Sequence, residues 1–189
     1  VIKSFMEEND FKSGLLFTAD PYSKVINKDD KKTATLFGDG ATVTLLDDQP
    51  VFECGKFVFG SDGSKKEGII VKEDGQLSMN GRAVLTFTVR VIPENIREML
   101  KKNSVLLESV DCFIIHQGSL HIVNTIADSL GVPREQCPFH SAEYGNTVSS
   151  SVPMVLSREF DKQEIKVAVL SGFGVGLSWA STMLFRKHS

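Results

Sequence analysis

The C-terminal part of the chain contains 19 consecutive residues without a charged side chain, at positions 167–185. A helix of that length could cross a membrane. However, Gly172, Gly174 and Gly176 divide the run into two stretches of strand length, and glycine interrupts regular structure because it has no side chain to pack. We therefore predict two buried strands, at 166–170 and 177–185, joined by a glycine-rich turn, and we predict no membrane helix.

Strand-like and helix-like stretches alternate along the rest of the chain. Strands are predicted at 15–19, at 51–57, at 109–115 and on both sides of Gly38-Asp39-Gly40, which is expected to be a tight turn. Residues 84–91 alternate weakly in hydrophobicity. Helices are predicted at 1–10, from Pro93 onward, at 123–130 with Gly131 ending the helix, and at 148–160. This alternation predicts a layered α/β fold with a mixed sheet.

The composition excludes several classes of protein. Lys and Arg number 21 against 24 Asp and Glu, and the net charge of −3 argues against a nucleic-acid binder. Three cysteines are too few for a disulfide framework, so we expect free thiols in a reducing compartment. The chain opens without a basic segment followed by a long apolar one, so no signal peptide is predicted and a cytoplasmic location is expected.

Two polar residues are the first candidates for chemistry. His116 follows a predicted buried strand and precedes a predicted helix, and ligands of open α/β sheets collect at such strand ends. A histidine there can exchange a proton near neutral pH, but a hydrogen-bonded core histidine would give the same pattern. Asn146 precedes the helix predicted at 148–160, where it can be a helix cap, a turn residue or a hydrogen-bond donor to a ligand.

The remaining candidates are weaker. The glycine-rich segment 172–176 lacks the dinucleotide-binding spacing and opens a strand, although its backbone N–H groups could bind an oxyanion. Cys112 is predicted to be a core residue, and Cys54 has no neighbouring base that could activate it. Cys137 and His140 have the C-x-x-H spacing of a zinc site, but the sequence offers no second pair of ligands, so no metal site is predicted.

Several motifs, taken in order, give the chain a family resemblance. They are Leu36-Phe37-Gly38-Asp39-Gly40-Ala41, Phe113-Ile114-Ile115-His116-Gln117, Gly145-Asn146-Thr147 with Ser151-Val152-Pro153, Gly172-Phe173-Gly174-Val175-Gly176-Leu177-Ser178-Trp179 and, more weakly, Met79-Asn80-Gly81. Together they resemble β-ketoacyl-acyl-carrier-protein synthase III and its relatives among the thiolase-fold condensing enzymes. The resemblance implies a thiolase-like α/β fold with a mixed five-stranded sheet. Residues 1–48 would end the N-terminal thiolase-like half, and residues 49–189 would form the C-terminal half.

The resemblance also implies an activity, the decarboxylative Claisen condensation of a malonyl thioester with an acyl-cysteine enzyme. It places the family's catalytic histidine at His116 and its catalytic asparagine at Asn146. Two such neutral donors would stabilise the oxyanion that decarboxylation creates on the thioester oxygen. The implied substrates are thioesters of coenzyme A or of the phosphopantetheine of acyl carrier protein, with no permanently bound cofactor.

Five further residues receive roles from the resemblance. The backbone N–H of Val175 would polarise the acyl-cysteine carbonyl, and Phe173 would form an aromatic wall of the pocket. Ser119, His121 and Asn80 would lie along the pantetheine or carrier-protein contacts. Ser119 and His121 depart from the family pattern, which commonly has asparagine and arginine there, and histidine is mostly neutral at pH 7, whereas arginine stays charged.

The family's nucleophilic cysteine has no counterpart in this chain, because none of Cys54, Cys112 and Cys137 matches its position. The resemblance places that cysteine shortly before Val1. We therefore expect the chain to be inactive alone, to expose an apolar face, and to act with an N-terminal half or with a second chain, in a homodimer. The alternative hypothesis is a non-catalytic partner subunit of a condensing-enzyme heterodimer. A thiolase-like degradative enzyme fits less well.

Overall fold

The computed structural model describes residues 1–187, and His188, for which the sequence predicts a surface position, lies outside the described residues. The described strands are β1 (Ser13–Asp20), β2 (Gly40–Asp47), β3 (Phe52–Cys54), β4 (Val58–Ser61), β5 (Ile69–Val71), β6 (Leu77–Met79), β7 (Cys112–Ile115), β8 (Val167–Gly174) and β9 (Ser178–Arg186). The described α-helices are α1 (Ile2–Glu8), α2 (Lys31–Ala34), α3 (Gly81–Asn103), α4 (Leu120–Leu130) and α5 (Ser151–Glu159). Short 3-10 helices connect several of these elements.

The main sheet has five strands in the order β3-β9-β8-β7, with β4 also paired to β9. Strand β7 runs parallel to β8, whereas β8 and β9 are antiparallel from Val167↔Phe185 to Gly174↔Ser178. The predicted mixed five-stranded sheet and the pair of strands in the uncharged run are therefore confirmed. Gly172 and Gly174 belong to β8 itself, so the turn is shorter than predicted. Across residues 1–187, no helix combines the length and the apolar composition needed to cross a membrane.

The sheet is covered on both faces, because alternate residues of β7 point into different cores. Phe113 and Ile115 pack with residues of α3 and α4, among them Ile96. Cys112 and Ile114 pack on the opposite face with Val155 of α5 and with neighbouring strands. All four residues of β7 are buried, as a strand between two helical layers requires. The fold is thus an α/β sandwich in which β8 and β9 are inner strands and β7 lies at the end of the described strand order, covered by helices on both faces.

Residues 84–93 lie inside helix α3, although the sequence predicts a helix only from Pro93 onward. The weak alternation at 84–91 is helical, and the helix begins at Gly81 with Pro93 in its interior. The predicted start at Pro93 is wrong because Phe87 and Thr88 on the preceding turns are also buried and continue the same packed face. Burial at helical spacing outweighs the strand preference of the β-branched residues in this segment. Helix α4, in contrast, ends as predicted, with Gly131 in the left-handed conformation at φ 79°.

Strands β1 and β2 form a separate two-stranded antiparallel sheet. The prediction of strands on both sides of Gly38-Asp39-Gly40 is half wrong, since only the second run is a strand. The first run contains the end of α2, and β2 pairs with β1 instead. The strand predicted at 51–57 is likewise replaced by the separate strands β3 and β4.

One face of this two-stranded sheet is apolar and exposed. Leu15 lies opposite Leu45, and Phe17 lies opposite Val43, and each of these side chains is at least half exposed. The other face carries Thr18, whose hydroxyl hydrogen-bonds to that of Ser150 in the segment that leads into α5. The chain therefore exposes an apolar face, as the sequence analysis predicts. A two-stranded sheet with such a face needs a further layer to be stable.

Candidate functional site

A cavity of about 720 Å³ lies at the carboxyl ends of β7 and β8, where the α/β architecture favours ligand binding. Its lining is mostly apolar, with few polar groups. Six of the predicted site residues line it: His116, Ser119, His121, Asn146, Phe173 and Val175. The structure therefore brings His116 and Asn146, which lie 30 positions apart in the chain, to one cavity.

His116 directly follows β7, and its backbone N–H donates to the carbonyl of Ser171 in β8, at 2.8 Å. The side chain is only 9% exposed, and its Nδ1 lies 2.6 Å from the hydroxyl oxygen of Ser151. Phe173 packs edge-on against the ring with centroids 5.1 Å apart. Burial lowers the pKa of His116 to about 4, and a hydrogen bond to the backbone of Val148 opposes that shift only partly. At neutral pH the imidazole is uncharged, so it can act as a neutral donor.

Asn146 is fixed by hydrogen bonds to both its backbone and its side chain. Its backbone N–H donates to the carbonyl of Leu36 at 2.8 Å, and its carbonyl accepts from Gly38 N–H at 3.0 Å. The side-chain oxygen Oδ1 accepts from the backbone N–H of Val148 at 2.9 Å. This bond fixes the orientation of the amide, and the NH₂ group is then the part that can donate to a ligand.

Glycines permit this close approach of two distant segments. A Cβ on Gly38 would lie 1.8 Å from the carbonyl oxygen of Tyr144, a distance that no side chain can tolerate. Gly145 has φ 74°, and a Cβ there would lie 2.9 Å from the carbonyl oxygen of Leu36. Gly38 is therefore needed because the backbone that carries Asn146 crosses directly above it, and it does not form the predicted hairpin turn.

Val148 is a site residue that the sequence analysis missed. Its backbone N–H donates to Oδ1 of Asn146, and its backbone also raises the pKa of His116 against the effect of burial, so Val148 acts on both candidate donors. It adopts φ 54°, which is rare for a β-branched side chain and is typical of a strained position at a functional site. No sequence signal could have found it, because valine has no preference for this conformation.

The other predicted residues occupy less specific positions. Val175 is 54% exposed in the turn between β8 and β9. Ser119 caps α4, with its hydroxyl oxygen accepting from Ile122 N–H at 3.2 Å, and His121 is exposed on the first turn of that helix. Asn80 caps α3 by accepting from Ala83 N–H at 3.1 Å, and it lies outside the cavity lining although Met79 and Gly81 belong to it. The roles that the resemblance implies for these residues stay predictions.

The thiols lie away from the cavity and are poorly suited to nucleophilic attack. Burial raises the pKa of Cys112 and of Cys137 to about 12, and it also raises the pKa of Cys54. Among residues 1–187, no group of three or more His, Cys, Asp or Glu side chains could hold a metal ion. His140, the partner of Cys137 in the C-x-x-H spacing, instead pairs its Nε2 with Glu159 Oε1 at 2.9 Å.

Comparison with known proteins identifies the class to which this fold belongs. Residues 1–63 match the family described as 3-oxoacyl-[acyl-carrier-protein] synthase III, and residues 100–185 match its C-terminal part. The crystal structure of the β-ketoacyl-[acyl carrier protein] synthase III of Thermus thermophilus superimposes with a TM-score of 0.91 at 29% identity, covering 99% of this chain and 63% of that one. The architecture is that of the thiolase-fold condensing enzymes.

Curated sequences agree with the structural match. The β-ketoacyl-[acyl-carrier-protein] synthases III of Clostridium perfringens and Staphylococcus saprophyticus are 32% and 34% identical to this chain, and each match covers 96% of it. The chain therefore belongs to the 3-oxoacyl-[acyl-carrier-protein] synthase III family, as its motifs predict. It spans about three fifths of the length of these relatives, 62% and 60% respectively.

Proposed function

We propose that this chain provides the oxyanion-binding part of a synthase III-type acyltransferase. One observation carries the proposal: His116 and Asn146 line the same apolar cavity, which Val148 also lines, and the backbone N–H of Val148 holds the Asn146 amide. In this proposal, residues 1–48 end the N-terminal thiolase-like half and residues 49–189 form the C-terminal half. The membership of the family supports the assignment.

The chemistry needs two neutral donors at one point. When a malonyl thioester loses CO₂, the electrons of the breaking C–C bond move onto the thioester oxygen, and an enolate forms. The Nε2–H of His116 and the Nδ2–H of Asn146 would donate to that oxygen. The enolate carbon then attacks the carbonyl of the acyl-cysteine, and the thiolate leaves. Each donor of this kind is worth about 10²–10³ in rate, and the burial of His116 keeps its ring neutral for the task.

The substrates of this proposal are thioesters of coenzyme A and of acyl carrier protein. The apolar lining of the cavity suits an acyl chain; Phe173 packs against the ring of His116, and Val175 also belongs to the lining. Ser119, His121 and Asn80 lie at helix starts and, in this proposal, would contact the pantetheine arm or the carrier protein. The reaction would belong to fatty acid biosynthesis or to polyketide formation in the cytoplasm, without a permanently bound cofactor.

The nucleophile of the reaction must come from outside this chain's cysteines. Cys54, Cys112 and Cys137 are absent from the cavity lining, and burial raises the pKa of each. An N-terminal half or a second chain would supply the cysteine and cover the apolar face of the β1–β2 sheet. The complete protein would be a homodimer. The same observation supports the second candidate, a non-catalytic partner subunit, and both predict that the isolated chain does not catalyse condensation.

A hybrid protein tests the proposal. The segment of the Clostridium perfringens relative that precedes the matched region is fused to Val1, so that every residue of this chain is kept. We expect malonyl-thioester decarboxylation and condensation, with His116→Ala and Asn146→Ala each lowering kcat by about 10²-fold or more. Circular dichroism and gel filtration establish that each variant is folded. If the folded hybrid is active and His116→Ala leaves decarboxylation unchanged, the assigned role is wrong. A folded hybrid without turnover favours the partner subunit.

A further inference from the structure

Ser151 is a buried residue directly behind His116, and the proposed chemistry assigns it no task. It is the first residue of α5, and its side chain is fully buried. Its hydroxyl oxygen lies 2.6 Å from Nδ1 of His116 and 3.4 Å from the backbone nitrogen of Gln117. The motif Ser151-Val152-Pro153 therefore brings a hydroxyl group to the Nδ1 edge of the imidazole.

The hydrogen bonds around this hydroxyl constrain where its proton can go. The backbone N–H of Gln117 can only donate, so it occupies a lone pair of the Ser151 oxygen. A serine hydroxyl has a single proton to donate. Within residues 1–187, Nδ1 of His116 is the one partner of this oxygen that can accept it. Donation to Nδ1 requires that nitrogen to be unprotonated, and in a neutral ring the remaining proton then lies on Nε2.

We propose that Ser151 is a positioning residue that holds His116 in the tautomer protonated at Nε2. This inference rests on the proposed function, because only that tautomer presents an N–H to an oxyanion at the Nε2 position. Ser151 does not touch the substrate and acts through the ring of His116. The competing arrangement places the proton on Nδ1, which would then donate to the Ser151 oxygen.

The first test reads the tautomer directly in the isolated chain. A long-range ¹H–¹⁵N spectrum of the ¹⁵N-labelled protein at pH 7 distinguishes protonated from unprotonated imidazole nitrogens, and His116→Gln identifies the signals of His116. We expect Nδ1 to be unprotonated and Nε2 to carry the proton. Protonated Nδ1 in the wild-type chain overturns the proposal, and this reading needs no variant of Ser151 to fold.

Two serine variants make the test specific. Ser151→Ala is expected to shift the population of His116 toward the Nδ1-protonated form. Ser150→Ala is the matched control, because Ser150 is an equally buried neighbour whose hydroxyl bonds to Thr18 and Gly40 instead of the ring. It should leave the tautomer unchanged. An unaltered tautomer in folded Ser151→Ala contradicts the proposal.

Kinetics of the hybrid protein separate this inference from the proposed function. We expect Ser151→Ala to lower kcat about tenfold or more with KM unchanged, since a donor that acts in the transition state is lost for part of the molecules. If the tautomer shifts as expected but the hybrid is inactive with or without Ser151, the proposed function fails and the positioning role stands. If the hybrid is active and Ser151→Ala alters neither kcat nor the tautomer, the positioning role fails alone.

Discussion

Gly38→Ala tests whether the crossing of two segments over Gly38 determines the position of Asn146. A Cβ at residue 38 would lie 1.8 Å from the carbonyl oxygen of Tyr144. Ordinary contact needs more than about 3 Å, so the segments must separate by more than about 1 Å. Such a shift breaks the hydrogen bonds from Gly38 N–H to Asn146 and from Asn146 N–H to Leu36.

The expected cost follows from these contacts. Each lost hydrogen bond is worth about 1 kcal/mol, so the free energy of unfolding should fall by about 2–3 kcal/mol, including the lost packing. Urea denaturation of the isolated chain, followed by circular dichroism, measures this change. In the hybrid protein, a misplacement of Asn146 by about 1 Å should lower the rate of decarboxylation about 10²-fold.

Gly172→Ala is the matched control, because a Cβ on that glycine meets nothing within 4 Å. It should leave stability unchanged or raise it by up to about 1 kcal/mol, as expected when glycine is replaced within a strand. If Gly38→Ala costs less than about 0.5 kcal/mol, or no more than the control, the close approach does not constrain the site and the reasoning is refuted.

Three further predictions follow from the structure. The pKa of His116 is about 4 in the folded chain against an ordinary value of 6.5, so between these values the unfolded chain binds the proton more readily. The free energy of unfolding should therefore fall by about 3 kcal/mol as the pH drops from 6.5 to 4, and urea titrations of His116→Gln should lack this contribution. In a thermal unfolding assay, Glu159→Gln should destabilise the chain by about 3 kcal/mol, because the buried carboxylate pairs with both His140 and Lys162. In the same assay the control Glu143→Gln, which removes an exposed ion pair, should cost less than about 1 kcal/mol. Phe17→Ser should weaken the binding of a hydrophobic dye to the isolated chain while changing its stability by less than about 0.5 kcal/mol, since the side chain is 66% exposed; an unchanged dye signal would place the binding surface elsewhere.

Local patterns in the sequence predict the central part of this fold well. The uncharged run yields β8 and β9 because glycines divide it and β-branched and aromatic residues fill the halves. Gly131 ends α4 because its left-handed conformation suits glycine. His116 is found at a cavity because a polar residue at the end of a buried strand must face either a partner or a ligand. In each case the decisive interaction lies within a few residues of the pattern.

Contacts between distant segments are what the sequence does not reveal. Gly38 is interpreted as a turn because its neighbours are β-prone, yet a residue without a side chain is required there by the carbonyl oxygen of Tyr144, more than a hundred residues away. Helix α3 is misjudged at its start because its first turns are stabilised by packing and not by propensity. The hydroxyl of Ser151 and the left-handed Val148 matter through their three-dimensional neighbours, and no local rule anticipates either of them.

The pairing of residues 36–38 with the backbone of Asn146 has a consequence for recombination between related enzymes. Residues 36–38 precede β2 and Asn146 precedes α5, so the proposed boundary at residue 48 falls between the two segments. A crossover at that boundary would combine residues 36–38 from one parent with the segment that carries Asn146 from the other. Shuffled libraries should therefore inherit both stretches from a single parent, and crossovers placed upstream of α2 should yield functional progeny more often than crossovers at residue 48.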